Sequence, residues 1–172
     1  MSTEGLLAYL SAAPGDAAWA AALHRDLERC LDYSGVTGRV FWEAEDVPPG
    51  VVVAGAQQEG VDRARCFLLV VTAEALADRR VTDLWQSFHR LAQRDPSHRL
   101  VPVIVEEAPL PPFLDGLRPV IFDPGDADHY RRGVGELLAV VLARSEMPAL
   151  PEDLEAPTFP ARSLPAELRR AG

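Results

Sequence analysis

The sequence predicts an α/β domain in which a doubly wound parallel sheet carries helices on both faces. Short apolar runs alternate along the chain with longer stretches whose apolar residues recur every three or four positions. One run, Cys66–Thr72, is almost continuously apolar, as a central strand is when both faces of a parallel sheet are covered. Alternation of this kind requires right-handed crossover connections and therefore predicts a parallel sheet.

The first two strands are predicted near the N-terminus. Leu6–Ser11 has the pattern of a buried strand, and Pro14-Gly15 ends it. Asp16 then stands where an N-cap residue would begin a helix. The buried face of that helix repeats every four residues: Trp19, Leu23, Leu27 and Leu31. Arg39–Trp42 is the second short strand.

A polar loop and a weaker helix connect the second strand to the third. The loop, Glu43–Gly50, ends in Pro48-Pro49-Gly50, which continues neither a strand nor a helix. Val51–Arg63 is predicted as a weak helix because it contains two glycines. Cys66–Thr72 is the third strand.

A longer helix, a fourth strand, a short fifth strand and a last helix complete the predicted domain. The longer helix stops near Asp95-Pro96. Its apolar stripe is Val81, Leu84, Trp85, Phe88 and Leu91. Leu100–Val105 and Val120–Phe122 are the two strands, and Asp126 or Asp128 caps the last helix. These elements make a five-stranded, flavodoxin-like sheet.

The chain changes character after residue 144. Five prolines fall between Pro148 and Pro165, with acidic residues among them. We therefore expect a domain over residues 1–144 and a proline-rich acidic tail or linker over 145–172, mostly without regular structure. A short helix over Ala166–Arg170 could end the chain.

Composition excludes several classes of function. With 172 residues, 48% of them hydrophobic, the chain suits one domain with its own core. The formal net charge of −9 disfavours binding to nucleic acid or to anionic membranes. All 17 basic residues are arginine, so a P-loop lysine and Schiff-base chemistry are both excluded.

The remaining composition points to a protein of the cytoplasm. No apolar run approaches the 18 residues of a membrane span, and the first residues lack a secretory signal pattern. Cys30 and Cys66 are expected to be buried thiols in a reducing compartment. The histidines show no metal-ligand spacing, so no metal site is expected.

Four local patterns make the sequence similar to the Toll/interleukin-1 receptor (TIR) domain family, and to its bacterial members. Leu10-Ser11, followed by Asp16 and Trp19, resembles the first-strand box of that family. The most specific match is Val40–Gly50, which looks like the second strand and the following BB loop. Arg65–Thr72 is similar to the third strand, with Thr72 in place of the usual serine. The stretches 94–103 and 110–123 resemble the fourth and fifth strands, and the match covers roughly residues 5–144.

The resemblance implies two activities. TIR domains assemble with one another, often through the BB loop, here Glu45, Asp46, Val47, Pro48, Pro49 and Gly50. Many members also hydrolyse NAD at the nicotinamide–ribose bond, which would place a pocket at Ser11, Asp16, Trp42 and Glu43. The expected role is therefore a module of bacterial immune, antiphage or stress signalling that forms homo-oligomers on activation or binds another TIR domain. No cofactor is required, and NAD is the expected substrate or ligand if one binds.

The sequence departs from the family at the catalytic glutamate. That residue lies early in the third long helix, and counting back from the Arg94-Asp95-Pro96 boundary places it near Ser87. No Asp or Glu occurs from Leu84 to Arg94, and Asp83 is a fallback acid. A carboxylate stabilises the oxocarbenium-like charge that develops on the ribose, and its loss costs on the order of a thousandfold in rate. We therefore expect a poor NAD hydrolase or none, with hydrolysis through Asp83 as the alternative.

Structural interpretations compete with the functional ones at several residues. Glu43–Gly50 is either an assembly surface or a solvated turn. Trp42 is expected to pack half-buried rather than to stack on a ligand, and His89 to lie on the surface rather than to act as a ligand or base. Ser11 and Asp16 are expected to serve structure first, Asp16 as a helix cap.

Overall fold

Five parallel strands form a single sheet in the order β2-β1-β3-β4-β5. The computed structural model describes residues 5–123 and 126–157 of the chain. The strands are β1 Leu6–Ser11, β2 Arg39–Trp42, β3 Cys66–Val71, β4 Arg99–Ile104 and β5 Val120–Ile121. The helices are α1 Ala17–Tyr33, α2 Glu43–Asp46, α3 Val53–Arg63, α4 Ala73–Ala77, α5 Arg79–Arg94, α6 Pro112–Asp115 and α7 Ala127–Val141. The predicted doubly wound, flavodoxin-like fold is confirmed.

Two hydrophobic cores lie on opposite faces of the sheet. The core on one face joins the sheet to α1 and α7, and includes Leu10, Leu27, Leu68 and Leu137. The core on the other face joins it to α3 and α5, and includes Tyr9, Val61, Phe67 and Phe88. All six residues of β3 are buried because β3 is the central strand, as its continuous apolar run predicts.

Side-chain caps begin three of the helices. The Thr72 hydroxyl accepts from the Ala75 N–H, and the Asp78 carboxylate accepts from the Val81 N–H. These two caps divide the stretch after β3 into a short α4 and a long α5, a division that the apolar periodicity did not predict. Of the two residues predicted to cap the last helix, Asp126 is the one that does so.

The outer edge of β2 is closed by side chains from its own domain. The Val40 N–H donates to the Glu28 carboxylate, and the Val40 carbonyl lies 2.9 Å from Nε2 of His24. The Trp42 N–H donates to Asp46 at 2.6 Å. These backbone groups would otherwise offer a template for another strand, so the closed edge disfavours pairing with a second chain.

Part of the segment after α7 packs on the domain without forming a helix or a strand. Leu154 is 8% exposed and joins the core beneath α1 and α7. The Arg131 guanidinium donates to the carbonyls of Leu150 and Pro151. The boundary at residue 144 stays a prediction, and the predicted final helix over 166–170 lies outside the described residues.

Both cysteines are free and buried, as expected. Burial raises the pKa of each thiol to about 11, with nearby Asp26 adding to the effect at Cys30. Thiols with such pKa values carry little thiolate near neutral pH and react slowly.

Candidate functional site

A cleft opens where the chain leaves β1 and β2 at their carboxyl ends. In this strand order the topological switch point lies between β1 and β3, whose outgoing connections cross opposite faces of the sheet, and the cleft lies beside it at the end of β1. Ligands bind at such switch points in open α/β sheets. The cleft has a volume of about 210 Å³. Its lining includes Leu10, Ser11, Ala13, Trp42, Glu43 and Arg80.

The structure brings together three of the four residues that the resemblance assigned to an NAD pocket. Ser11, Trp42 and Glu43 all line this cleft. Trp42 is 6% exposed, so it is more deeply buried than the half-buried packing that was expected. Trp42 is the last residue of β2. Its side chain lines the cleft and also belongs to the core beneath α1.

Asp16, the fourth residue, lies outside the lining of the cleft. Its carboxylate accepts a 2.6 Å hydrogen bond from the Thr72 hydroxyl, and both side chains are buried. Asp16 occupies the N-cap position of α1 but makes no side-chain capping hydrogen bond there, so that part of the prediction is wrong. The reason is that a 3-10 turn over 14–16 precedes the helix and turns the carboxylate toward β3. Asp16 therefore ties the end of β1 to the end of β3.

A second contact ties the same two strand ends together. The Gly15 N–H donates to a carboxylate oxygen of Glu74 at 2.9 Å. Glu74 lies in α4, immediately after the Thr72 cap. Two separate polar contacts, one with Thr72 at the end of β3 and one with Glu74 in α4, therefore hold the turn that forms the floor of the cleft.

The carboxylate of Glu43 is occupied by two donors from other helices. It accepts hydrogen bonds from the Gln57 side chain on α3 and from the Arg80 guanidinium at the start of α5. The Glu43 side chain is 30% exposed and that of Arg80 is 40% exposed, so solvent screens the pair in part. These contacts bridge α2, α3 and α5 across the mouth of the cleft.

Tyr9 lies beneath the Glu43–Arg80 pair. Its ring stacks between Phe41 and Phe67, with centroids 4.9 and 5.1 Å away. Burial raises the pKa of the Tyr9 phenol far above its ordinary value, the Glu43 carboxylate raises it further, and Arg80 opposes the rise. Tyr9 is therefore neutral at physiological pH and serves as apolar packing.

Neither candidate for the catalytic acid position lines the cleft. The Asp83 side chain is 68% exposed and lies 3.9 Å from Arg79, one helical turn earlier. Ser87 is half-buried further along α5. The residue that α5 contributes to the cleft is Arg80, which sequence reasoning missed. Its partner Glu43 is 37 positions away, so no local pattern signals the contact.

The first part of the predicted polar loop Glu43–Gly50, which leads into the BB loop, is a helical turn. Glu43–Asp46 forms α2, because Asp46 folds back to accept from the Trp42 N–H and to pair with Arg39. Glu45 lies 3.3 Å from Nδ1 of the buried His24. The loop's acidic residues thus hold it against the domain.

The second part of the BB loop is an apolar projection. Pro48, Pro49 and Gly50 are exposed, and Gly50 has a φ of +86°, which favours glycine. Three consecutive valines follow, with exposed fractions of 47% for Val51, 75% for Val52 and 43% for Val53. Behind them a groove of about 470 Å³ runs between the loop, α3 and Phe41.

The described residues contain no candidate metal site and no candidate membrane span. Over residues 5–123 and 126–157, no three His, Cys, Asp or Glu side chains lie close enough together to hold a metal ion. In the same part of the chain, no helix has both the length and the apolar character that crossing a bilayer requires.

Comparisons with known proteins agree with the fold of this chain. The profile of the TIR domain family matches residues 9–138. The TIR domain of the Toll-related receptor TRR-2 from Hydra magnipapillata has a similar structure, with a TM-score of 0.61 at 17% sequence identity. The similarity covers 80% of this chain and 98% of the Hydra domain, and at this identity it shows the fold alone. Among curated proteins, none matches the sequence significantly.

Proposed function

The chain belongs to the TIR domain family, and from that premise we propose that it is a signalling module that assembles with other TIR domains through the BB loop. The partner is a second copy of the chain or the TIR domain of another protein. The setting that we propose is bacterial immune or stress signalling. The exposed valines that directly follow the loop, Val51, Val52 and Val53, are the observation that carries the proposal.

Exposed valines in a row are unusual on a free surface. Full burial of a valine side chain stabilises by about 1.5–3 kcal/mol, and Val52 is 75% exposed. Most of that free energy is therefore still available to a partner. With its neighbours and the prolines before it, Val52 forms a contiguous apolar patch, which is typical of an interaction site.

The closed edge of β2 supports contact through side chains rather than through strand addition. Because the Val40 N–H, the Val40 carbonyl and the Trp42 N–H are already bonded to side chains of the same domain, a partner strand cannot pair with these three groups. The BB loop, which begins at the end of that strand, is the neighbouring surface that remains open to a partner.

The test compares assembly of the wild-type chain with that of Val52→Asp, by light scattering and sedimentation over a concentration series. Tyr33→Asp is the matched control, since Tyr33 is 60% exposed and lies at the far end of α1. We expect Val52→Asp to weaken association by about tenfold or more, equivalent to about 1.4 kcal/mol, and Tyr33→Asp to leave it unchanged. The net charge of −9 opposes association, so added salt should promote it. Equal assembly of all three proteins would refute the role of the loop.

Hydrolysis of NAD is the second candidate function, and the convergence of Ser11, Trp42 and Glu43 on one cleft favours it. Two observations oppose it. The cleft of about 210 Å³ is smaller than the roughly 300–1,000 Å³ of small-molecule sites. Its one lining acid, Glu43, is already bonded to Arg80 and Gln57. A dinucleotide would have to part those contacts.

Nicotinamide release by the wild-type chain, in the concentration series used for assembly, tests this second function. Asp83→Ala is the informative variant, and Asp32→Ala removes an exposed acid at the opposite end of the domain as a control. Release that rises with concentration and disappears only in Asp83→Ala would make the chain an assembly-activated hydrolase. Assembly without release supports the signalling module.

A further inference from the structure

The short β5 strand leaves part of β4 uncovered. β5 pairs only with Val103 and Ile104, through Val120 and Ile121. The earlier residues of β4, Arg99–Pro102, pair with β3 on one side and have no strand on the other among the described residues. A cavity of about 610 Å³ occupies the place where a longer fifth strand would lie.

This cavity lies at the amino ends of the strands, away from the cleft and the BB loop. Its walls are α5 on one face of the sheet and α7 on the other, with the segment before β5 between them. Its apolar lining includes Leu100, Val101, Phe113, Leu117, Val140 and Met147. The volume lies within the range of small-molecule sites, about 300–1,000 Å³, so the apolar body of a small ligand can be enclosed.

Cationic side chains line the same cavity. Arg99 and Arg118 are both exposed lining residues, and neither has an ion-pair partner within residues 5–123 and 126–157. His89 and His98 also line it, although His98 lies 3.3 Å from Asp95. Glu136 is the acid of the lining.

Within the described residues, Arg29, Arg39, Arg63, Arg79 and Arg80 each have a carboxylate partner. Other arginines, such as Arg90, have none there, but Arg99 and Arg118 are the two that also line this cavity. A guanidinium without a carboxylate partner is suited to bind one from a ligand, through charge-assisted hydrogen bonds.

We propose that this cavity is a binding site for an amphipathic monocarboxylate, with an apolar body of acyl or aryl type. The apolar body lies between α5 and α7 against Phe113 and Leu117. The carboxylate lies at Arg99 and Arg118. The site is independent of the BB loop, so binding here and assembly there are separately measurable.

The structure supplies an optical signal for binding. The Phe113 ring lies parallel to the indole of Trp85, with centroids 6.3 Å apart. Trp85 is 6% exposed, so we expect its emission to respond to changes in packing at Phe113. The other two tryptophans, Trp19 and Trp42, lie outside the lining of this cavity.

The test uses decanoate below its critical micelle concentration, followed by calorimetry and by tryptophan emission. Decanol is the neutral comparison with the same chain length. We expect saturable binding of decanoate, and binding of decanol about tenfold weaker or more, because decanol lacks the charge. Arg99→Gln and Arg118→Gln should each weaken decanoate binding several-fold and leave decanol binding unchanged. Arg90→Gln, an exposed arginine of α5 outside the lining, is the matched control.

A second variant tests the location of the apolar body. Ala139 is a half-buried lining residue of α7, and Ala139→Phe would place a ring inside the cavity. Both ligands should then fail to bind, while circular dichroism reports a folded protein. Absence of decanoate binding to the wild-type chain would overturn the proposal, as would equal affinity for decanol. Binding that survives in Ala139→Phe would overturn the assignment to this cavity, and if that variant is unfolded, Leu117→Gln answers the same question.

Discussion

Replacing Thr72 by valine should destabilise the domain, because it removes a buried hydroxyl that makes two hydrogen bonds. The hydroxyl of this fully buried residue donates to Asp16 at 2.6 Å and accepts from the Ala75 N–H at 3.0 Å. Valine keeps the shape and removes both bonds. A hydrogen bond to a charged group is worth about 1.5–3 kcal/mol, and a helix N-cap about 0.5–2 kcal/mol. Because one hydroxyl makes both bonds, the combined loss is about 2–4 kcal/mol.

The matched variant is Thr72→Ser, which keeps the hydroxyl and loses one buried methyl group. Its cost should be about 1 kcal/mol. Urea and thermal unfolding measure both variants. At about 2–4 °C for each kcal/mol in a chain of this size, the valine variant should melt roughly 4–16 °C below the wild type. Equal stability of the two variants would refute the reasoning and would mean that the hydroxyl does not hold the β1 and β3 ends together.

Three further predictions follow from packing and charge. Gly133→Ala should destabilise by about 1–3 kcal/mol despite the better helix propensity of alanine, because its Cβ would lie 2.7 Å from the buried Phe122 ring. Gly55→Ala should instead stabilise by about 0.5–1 kcal/mol, because nothing lies within 4 Å of its added Cβ. Stability changes of the same sign for both variants in urea unfolding would contradict this reasoning. Burial raises the pKa of the Glu28 carboxyl above 4.5, so its contribution to stability is present below that value and is lost as the pH rises through the folded pKa. Glu28→Gln should therefore gain stability relative to wild type as the pH rises above 4.5, and a parallel pH dependence in thermal melts would count against it. Cys66, with a pKa raised to about 11, should resist a thiol reagent at pH 8 until denaturant is added, and fast labelling of the native chain would show an open core.

The sequence predicts the strands and the order of elements because those depend on local patterns. All six residues of β3 are apolar, so its central position follows from the sequence alone. For the last helix the sequence left Asp126 and Asp128 as candidate caps, and Asp126 is the one that caps it. Each of these signals lies within a few residues of the element that it specifies.

The cleft depends on contacts that no local pattern contains. Asp16 was a reasonable cap for α1, but Thr72, which is 56 positions away, takes its carboxylate instead. Arg80 lies at a helix start with no sequence feature to mark it, and only the folded chain brings it to Glu43. Tertiary contacts of this kind override local propensity. As a result, Ser11, Trp42 and Glu43 line the cleft and Asp16 does not.

The packing of the segment after α7 could not be predicted from the sequence either. Its prolines and acids indicated a tail or linker, yet Leu150 and Leu154 contact the core beside α1 and α7. Their spacing of four positions is the only signal in the sequence, and it is too short to distinguish packing from chance. Arg131 completes the contact through backbone carbonyls, which any sequence would provide.

The two edges of the sheet differ in a way that separates assembly from ligand binding. At the β2 edge, Glu28, His24 and Asp46 occupy the outward backbone groups, so the neighbouring BB loop must meet a partner through side chains. At the other edge, β5 is too short to cover β4, and a cavity lined by arginines remains. An acidic chain that repels its own copies gains from an apolar contact at the first edge, because valine burial carries no charge penalty. At the second edge, Arg99 and Arg118 lack acidic partners and line a cavity, so they can attract the carboxylate of a ligand there. A substitution at Val52 should therefore change assembly and leave decanoate binding unchanged, and a substitution at Arg118 should do the reverse. If either substitution changed both properties, the two edges of the sheet would be energetically coupled.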